Sequence, residues 1–534
     1  MRSLYRSSLA TLFVVFFALQ VHAQVTTATV FGNAVDDKNS ALSGVVIRAK
    51  HLPTGTVYGT TSRENGSYNI YGLKPGGPYE VIASYAGKKT VELKGLSLEL
   101  GQNLRLDFSM LESALVTEEV VVIAKSDPIM TETKTGSAQT VATETIENLP
   151  TISRRFQDFS KLSPLFSGAD LSAAGKSSRY NNIQIDGTQY NDLFGLGSSG
   201  TPGGSAGANP ISLDAIQEFQ VVVAPYDVKL SGFTGGGINA ITRSGTNTFS
   251  GSVFGYGRNQ SLVGKSPDAL KTNYPDFTEY QVGGRIGGPI IKDKLFFFAS
   301  AELTKYTRPY SNVSLTAGSA GMAAYADSIQ AIMLGKGYDP GSYGSVDLKR
   351  PSTKFFARLD WNMNENNRFT LRHNFVDGSD DILAARNLNN ALSWGSYTYR
   401  LASVTNSTVL QWNSTISNNM SNELIVGYTR IRDKRELPFA EAPEIEIRQG
   451  GNTYRLGPDR FSPANKLDQD IIEFTNNFTW NVGNHILTFG THNEFYTFSN
   501  LFIRSFYGYY VFNSFNDFKN STVGSYQRAF ARSG

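Results

Sequence analysis

From about residue 246 onward, apolar and polar positions alternate with a period of two, as in strands that bury one face. Phe355, Ala357, Leu359, Trp361 and Met363 are apolar, with Arg358, Asp360 and Asn362 between them. Ile472, Phe474, Phe478, Trp480 and Val482 repeat this against Glu473, Thr475, Asn477, Thr479 and Asn481. Leu295, Phe297, Ala299, Ala301 and Leu303 do so against Ser300, Glu302 and Thr304. The pattern predicts strands near 246–258, 277–290, 294–306, 353–363, 367–377, 398–416, 421–432, 470–482 and 485–500, with a tenth near 503–513. A soluble sandwich also alternates, so the connections decide. They run long (259–276), short (291–293), long (307–352), short (364–366), long (378–397), short (417–420), long (433–469) and short (483–484). Short turns on one rim and long loops on the other mark a membrane-spanning barrel. Tyr256, Tyr306 and Trp412 lie near strand ends, where aromatic girdles form.

The chain before 246 reads differently. Arg2 and Arg6 precede an apolar run over 9–19, and Val21-His22-Ala23 supplies small residues at a cleavage site before Gln24. Residues 1–23 are therefore expected to be a signal peptide, too short to span a bilayer as a helix. Residues 24–110 read as short strands punctuated by Asn65-Gly66 and Pro75-Gly76-Gly77-Pro78, which predicts a small β-sandwich. Residues 111–130 contain Glu118-Glu119-Val120-Val121-Val122-Ile123-Ala124, an acidic lead into a β-branched run. Such a run is either an edge strand or an extended peptide ready to add to another protein's sheet. Residues 131–244 mix an amphipathic helical signal over 143–161, broken by Pro150, with a strand ending at Ile185-Asp186-Gly187. A short helix opened by Ser212, a strand over 219–224 and the closing run Gly235-Gly236-Gly237-Ile238-Asn239-Ala240-Ile241-Thr242 complete an α+β unit.

Composition narrows the chemistry. The 534 residues include no cysteine, which removes disulfides, thiolate metal sites and Cys nucleophiles. With 49 Lys+Arg against 46 Asp+Glu, the net charge of +3 gives no footprint for nucleic acid. A mean hydropathy of −0.25 suits a soluble protein or a barrel whose strands hide half their residues from an average. Two nucleotide-like motifs fail. Gly195, Gly197 and Gly200 are followed by Pro202, Gly203 and Gly204, where no phosphate-binding helix can start. Gly175-Lys176-Ser177 lacks the glycine a phosphate loop needs, because that position is Asp170. Both glycine sets read as loops that move or line a passage. His373, His485 and His492 are scattered, and the seven-residue gap between the last two puts them on opposite strand faces, so no metal site, catalytic residue or cofactor is expected.

Residues 24–110, through Glu64-Asn65-Gly66-Ser67-Tyr68 and Tyr79-Glu80-Val81, resemble a carboxypeptidase-regulatory-like, transthyretin-type sandwich. His51 is the sole histidine there, too few for a zinc peptidase. Glu118, Glu119, Val120, Val121, Val122, Ile123 and Ala124 resemble a TonB box, with Ile123 where relatives often carry Thr. Residues 131–244 resemble the plug of TonB-dependent receptors through Ile185, Asp186 and Gly187, then Glu218, then Gly235, Gly236, Gly237, Asn239 and Thr242. The whole is similar to the Oar-like branch of these outer-membrane receptors, carried further by Pro225-Tyr226-Asp227 and Gly232-Phe233. The resemblance implies a mainly β protein with residues 245–534 as the N-terminal part of a transmembrane antiparallel β-barrel. It also implies a pull on the box by TonB and its ExbB/ExbD motor, contact with outer-membrane lipid, a periplasmic sandwich, a surface lipoprotein partner and no covalent chemistry. The ligand class stays open among glycan, peptide and chelate. The 12% aromatic content suits sugar or peptide stacking, and so carbohydrate binding, and girdles explain it equally well.

Ten strands spaced ~4.8 Å and tilted ~40° close at a radius of about 10 Å, too narrow for a ~110-residue plug with a radius of gyration near ~13 Å. About 22 strands would give roughly 22 Å by the same geometry. The expectation is an incomplete barrel, about ten strands of 22. Active import is the leading function, against a surface adhesin or signalling receptor on the same scaffold, and a secreted enzyme comes last.

Overall fold

The computed structural model describes residues 26–530, apart from 113–120, 124–136, 150, 152–153, 161, 168–171, 195–196, 198, 224–233, 269–270, 312–319, 385–389 and 484. The expected signal peptide, Glu118, Glu119, Val120, Ala124, Gly195, Pro225-Tyr226-Asp227 and Gly232-Phe233 lie outside the described residues.

Nine antiparallel strands form one large curved wall: Ser250–Asn259, Thr278–Ile291, Leu295–Ser311, Ser345–Asn362, Asn367–Leu383, Thr398–Ser417, Met420–Glu436, Asn465–Val482 and His485–Phe502. Each pairs with its neighbour in the chain, and the connections alternate long and short as the sequence predicts. The pleat sorts the side chains. Phe355, Leu359, Trp361, Ile472 and Phe474 point outward and are exposed, while Lys354, Arg358, Glu473 and Thr475 point inward and are buried. This is inverted relative to a soluble sandwich, whose apolar row would be the covered one. The first and last wall strands each pair on one side only among the described residues, so the sheet is open.

Two expectations need correction. The tenth strand does not extend the wall. Tyr509–Phe512 pairs in parallel with Glu444–Gln449 in a separate five-stranded sheet, and its burial does not alternate because both its faces are covered. The aromatic girdle is also only partly where it was expected. Trp412 does face outward near the short-turn rim and stacks on Phe369 at 5.6 Å, with Trp361 5.7 Å beyond. Tyr256 and Tyr306 share the inward parity of their strands; Tyr256 accepts a hydrogen bond from Arg154 of the inner unit at 2.9 Å. Parity, not nearness to a strand end, decides which aromatics meet lipid.

The long connections are not bare loops. The helix Ala320–Gly335, the strands Ala391–Ser393, Glu444–Gln449, Asn452–Leu456, Tyr509–Phe512 and Ser525–Gln527, and the helix Phe515–Lys519 assemble into an α/β cap. Its core joins Met322, Ala326, Ile329 and Met333, one helical face, to Trp394, Tyr454 and Phe512.

At the opposite end a β-sandwich covers residues 28–110 and closes over Val30, Ile47, Tyr68, Tyr79, Val81 and Phe108. Between sandwich and wall sits an inner α+β unit. Its five-stranded sheet runs in the order Ser137–Val141, Ile216–Val223, Gly236–Thr242, Asn182–Ile185, Thr188–Gln189. Its core (Ile183, Ile185, Phe159, Phe219, Ile238) runs on into wall residues Phe298 and Phe356. Gly236 is required by close packing, since a Cβ there would lie 2.2 Å from the Phe166 ring.

The outward row makes a quantitative prediction. Phe355 lies six residues from Trp361, about 15 Å along the barrel axis, which places it near the bilayer midplane. Phe355→Lys should lower the stability of the lipid-embedded protein by about 2–4 kcal/mol. A denaturant titration in vesicles measures this, and an unchanged midpoint would show that position 355 does not meet lipid.

Candidate functional site

The turn at Asp186-Gly187 takes positive φ at both residues (50° and 80°), as a two-residue hairpin loop requires. That turn aims the Asp186 carboxylate at the end of the neighbouring strand. Asp186 Oδ1 accepts from the Thr242 amide at 2.9 Å, and Oδ2 accepts from the Thr242 hydroxyl at 2.5 Å. Thus Asp186 and Thr242, from two separate motifs of the inner unit, meet in one place.

The wall completes the cluster. Arg358 and Arg372 stand directly opposite each other on adjacent strands, both buried. Like charges so placed repel unless an anion lies between them. Asp186 supplies it: its carboxylate is 3.6 Å from Arg358 and 3.4 Å from Arg372, and Arg372 also donates to its backbone carbonyl at 2.7 Å. Arg358 further donates to both oxygens of Asp360, at 2.7 and 2.8 Å, and to the Thr242 carbonyl at 3.1 Å. Around this centre the inner unit is tied to the wall mainly by polar contacts. The Gln189 amide donates to Glu473 at 3.0 Å, Asn374 donates to the Pro210 carbonyl at 2.7 Å, and Ser212 donates to Glu302 at 2.6 Å, where Glu302 also pairs with Lys354.

The remaining motif residues have distinct positions. Ile185 lies beside Ala240 in the parallel pair of the inner sheet. Gly235, Gly236, Gly237 and Asn239 bring that sheet's central strand close to its neighbours, and the Gly236 amide donates to Asn181 at 2.9 Å. Glu218 is not in the charge cluster. It faces the sandwich, accepting from the Leu100 amide at 2.8 Å, and burial pushes its pKa up to about 7. Val121–Ile123, the described part of the β-branched run, forms a short strand parallel to Glu92, Leu93 and Lys94 at an edge of the sandwich.

No sequence motif marks Arg358, Arg372 or Lys74 as site residues. Lys74 comes from the sandwich, donates to Ser244, and feels the charges of Asp360, Arg358 and Asp186; burial lowers its pKa to about 8. Alternation marked Arg358 as inward, but register alone brings it opposite Arg372. His51 has no role here. It is buried against Tyr79 and paired with Thr54 at 2.7 Å, and burial lowers its pKa to about 3. His492 is paired with Thr475 and Glu494, each at 2.7 Å. On the long-loop side, Arg155 and Asn209 of the inner unit meet Arg258, Gln281 and Arg350 of the wall around a polar cavity of about 170 Å³.

Residues 241–329 and 335–532 match the model of the outer membrane beta barrel domain family, and residues 29–111 match the carboxypeptidase regulatory-like domain. The chain is similar to the TonB-dependent transporter Oar of Myxococcus xanthus, with 28% identity over 316 residues that cover 53% of this chain and 28% of that protein. Its fold is similar to the outer membrane transporter YddB of Escherichia coli (TM-score 0.50, 15% identity, 70% of this chain and 50% of that one). The chain therefore spans well under two thirds of the length of either.

Proposed function

Because the chain belongs to the outer membrane beta barrel domain family, and is thus an outer-membrane protein, we propose that it acts as a TonB-dependent receptor that imports an extracellular ligand when a pull rearranges its plug. In this reading the inner α+β unit is the plug, residues 118–124 are the TonB box, and the ligand enters from the cap side. The observation that carries it is the seat of the inner unit. Asp186, Arg358, Arg372 and Asp360 hold it in a polar lumen by ion pairs and hydrogen bonds. A permanently fixed filling would gain as much from apolar residues of equal volume, since a buried ion pair adds little over them. Charged contacts, by contrast, exchange for water when the unit moves.

The motif residues fit those roles. Asp186 and Thr242 hold the seat, while Ile185, Gly187, Gly235, Gly236, Gly237 and Asn239 shape the sheet that carries it. TonB would take Val121–Ile123 as an added strand, at little ordering cost for β-branched residues. The cavity between Arg155 and Arg350 is a polar subsite on the ligand's way in, and the ligand class is drawn from glycans, peptides and chelates.

Val121→Pro tests the reading. Proline removes one backbone donor from the augmenting strand, so binding of the isolated periplasmic domain of TonB should weaken roughly tenfold. Growth on a panel of glycans, peptides and metal chelates should fail with it, while ligand binding at the cell surface persists. Unchanged TonB binding would overturn the box assignment, and unchanged growth with weakened binding would favour a surface receptor over an importer.

A further inference from the structure

The regulatory-like sandwich neither carries the plug's charge cluster nor lines the ligand's way in, yet it is seated on the short-turn rim of the barrel. Asn362 donates to Thr56 at 2.8 Å, Asn418 to Thr61 at 3.3 Å, the Asn247 amide to the Pro53 carbonyl at 2.8 Å, and Tyr71 to Asn481 at 2.7 Å. These four contacts reach the rim from just before the first wall strand to the end of the eighth, so the sandwich spans the described mouth instead of hanging from one turn. It also touches the plug at Leu100–Glu218, and its Lys74 lines the same cavity as Asp186, Arg358, Asp360 and Arg372. Any route past a displaced plug along this wall leads to the sandwich.

We propose that the sandwich is a second gate: it closes the short-turn mouth of the barrel and is drawn off by the same pull that moves the plug. The proposal rests on the reading of residues 118–124 as the TonB box. The order of segments supplies the mechanism, because the box lies in the chain between the two bodies, and once Val121–Ile123 has left its pairing with Glu92, Leu93 and Lys94 at the sandwich edge a pull on it loads both. From Glu112 to Val121 is nine residues, a tether of about 30 Å when taut; from Ile123 to Ser137 is fourteen, about 48 Å. Once the box is more than about 30 Å from Glu112, the sandwich must leave its seat. Its rim contacts are mostly side-chain and backbone hydrogen bonds at part-buried or exposed positions, joined by Arg368 over the Tyr58 ring at 4.0 Å; each hydrogen bond contributes about 0.5–1.5 kcal/mol, so they can break one after another under force. If the sandwich were fastened to the rim, the short tether would carry the force and shield the plug.

That shielding is measurable, because the chain has no cysteine and an engineered pair would hold its only thiols. Thr61→Cys with Asn418→Cys places them across the rim contact. The receptor chain in lipid nanodiscs is pulled through the periplasmic domain of TonB on a force probe, oxidised and then reduced. Stretching plug residues 137–242 releases about 360 Å. The expected result is that this release becomes at least tenfold rarer in the oxidised protein and returns on reduction, with either single-cysteine variant behaving like the parent. Equal frequency of plug release in both redox states overturns the proposal, as does failure of the pair to cross-link in the folded receptor. Failure of the TonB-box reading registers separately, as no force curves from the reduced protein, and the seat is then judged by the yield of cross-link alone.

Discussion

Asp186→Ala should unseat the inner α+β unit. The substitution removes the one carboxylate that lies between Arg358 and Arg372 and leaves two buried, directly opposed guanidinium groups to repel each other. Breaking a buried pair by deleting one partner costs about 3–5 kcal/mol, because the remaining charge stays buried without compensation. The Thr242 amide and hydroxyl lose their acceptor in the same step. Asp360 still holds Arg358, so the wall itself should survive. The expected phenotype is a leaky but folded barrel: faster hydrogen exchange over 182–189 and 236–242, and channel openings in a planar bilayer that the parent lacks. Asp186→Asn keeps the shape and loses the charge, and should fall between the two. A silent conductance trace with unchanged exchange for Asp186→Ala would show that the cluster does not hold the inner unit.

Trp394→Ala should melt the cap and leave the wall intact. Trp394 is fully buried, with Tyr343 at 5.6 Å and Tyr454 at 6.4 Å, in a core that joins the helix Ala320–Gly335 to the five-stranded sheet. Truncating a buried tryptophan costs about 3–5 kcal/mol, most of what a small unit has to spare. The wall strands do not depend on this core, since their pairing continues below it. Protease added outside intact cells should therefore cut within 320–335 at least tenfold faster, while the barrel keeps its resistance to denaturant. If cutting is no faster, the cap is not a cooperative unit.

The wall was legible because its information is local. Alternation over 353–363 and 470–482 assigns each side chain to lipid or lumen without knowledge of any partner, and short turns against long connections orient the whole. The cap was not legible for the opposite reason. Its strands are three to six residues long, come from two connections and from the stretch after the last wall strand, and include two parallel pairings, so nothing within one window marks them. The helical spacing of Met322, Ala326, Ile329 and Met333 was the one available signal. Tyr256 and Tyr306 show the limit from another side: both lie near strand ends as expected, and one residue of parity turns them toward the lumen.

The candidate site divides in the same way. Asp186-Gly187 announces its turn in two residues, because the conformation is set by the backbone preferences of those residues alone. That its carboxylate would meet Thr242, and that Arg358 and Arg372 would face it from the wall, follows from pairings separated by 56, 172 and 186 positions in the chain. By itself the sequence determined the strand periodicity, the rim asymmetry, the β-branched run and the tight turn, since each depends on near neighbours and solvent. Only the tertiary structure decided the charge cluster, the cap and the seating of the sandwich, because register and domain placement are settled by contacts between distant segments that no local preference encodes.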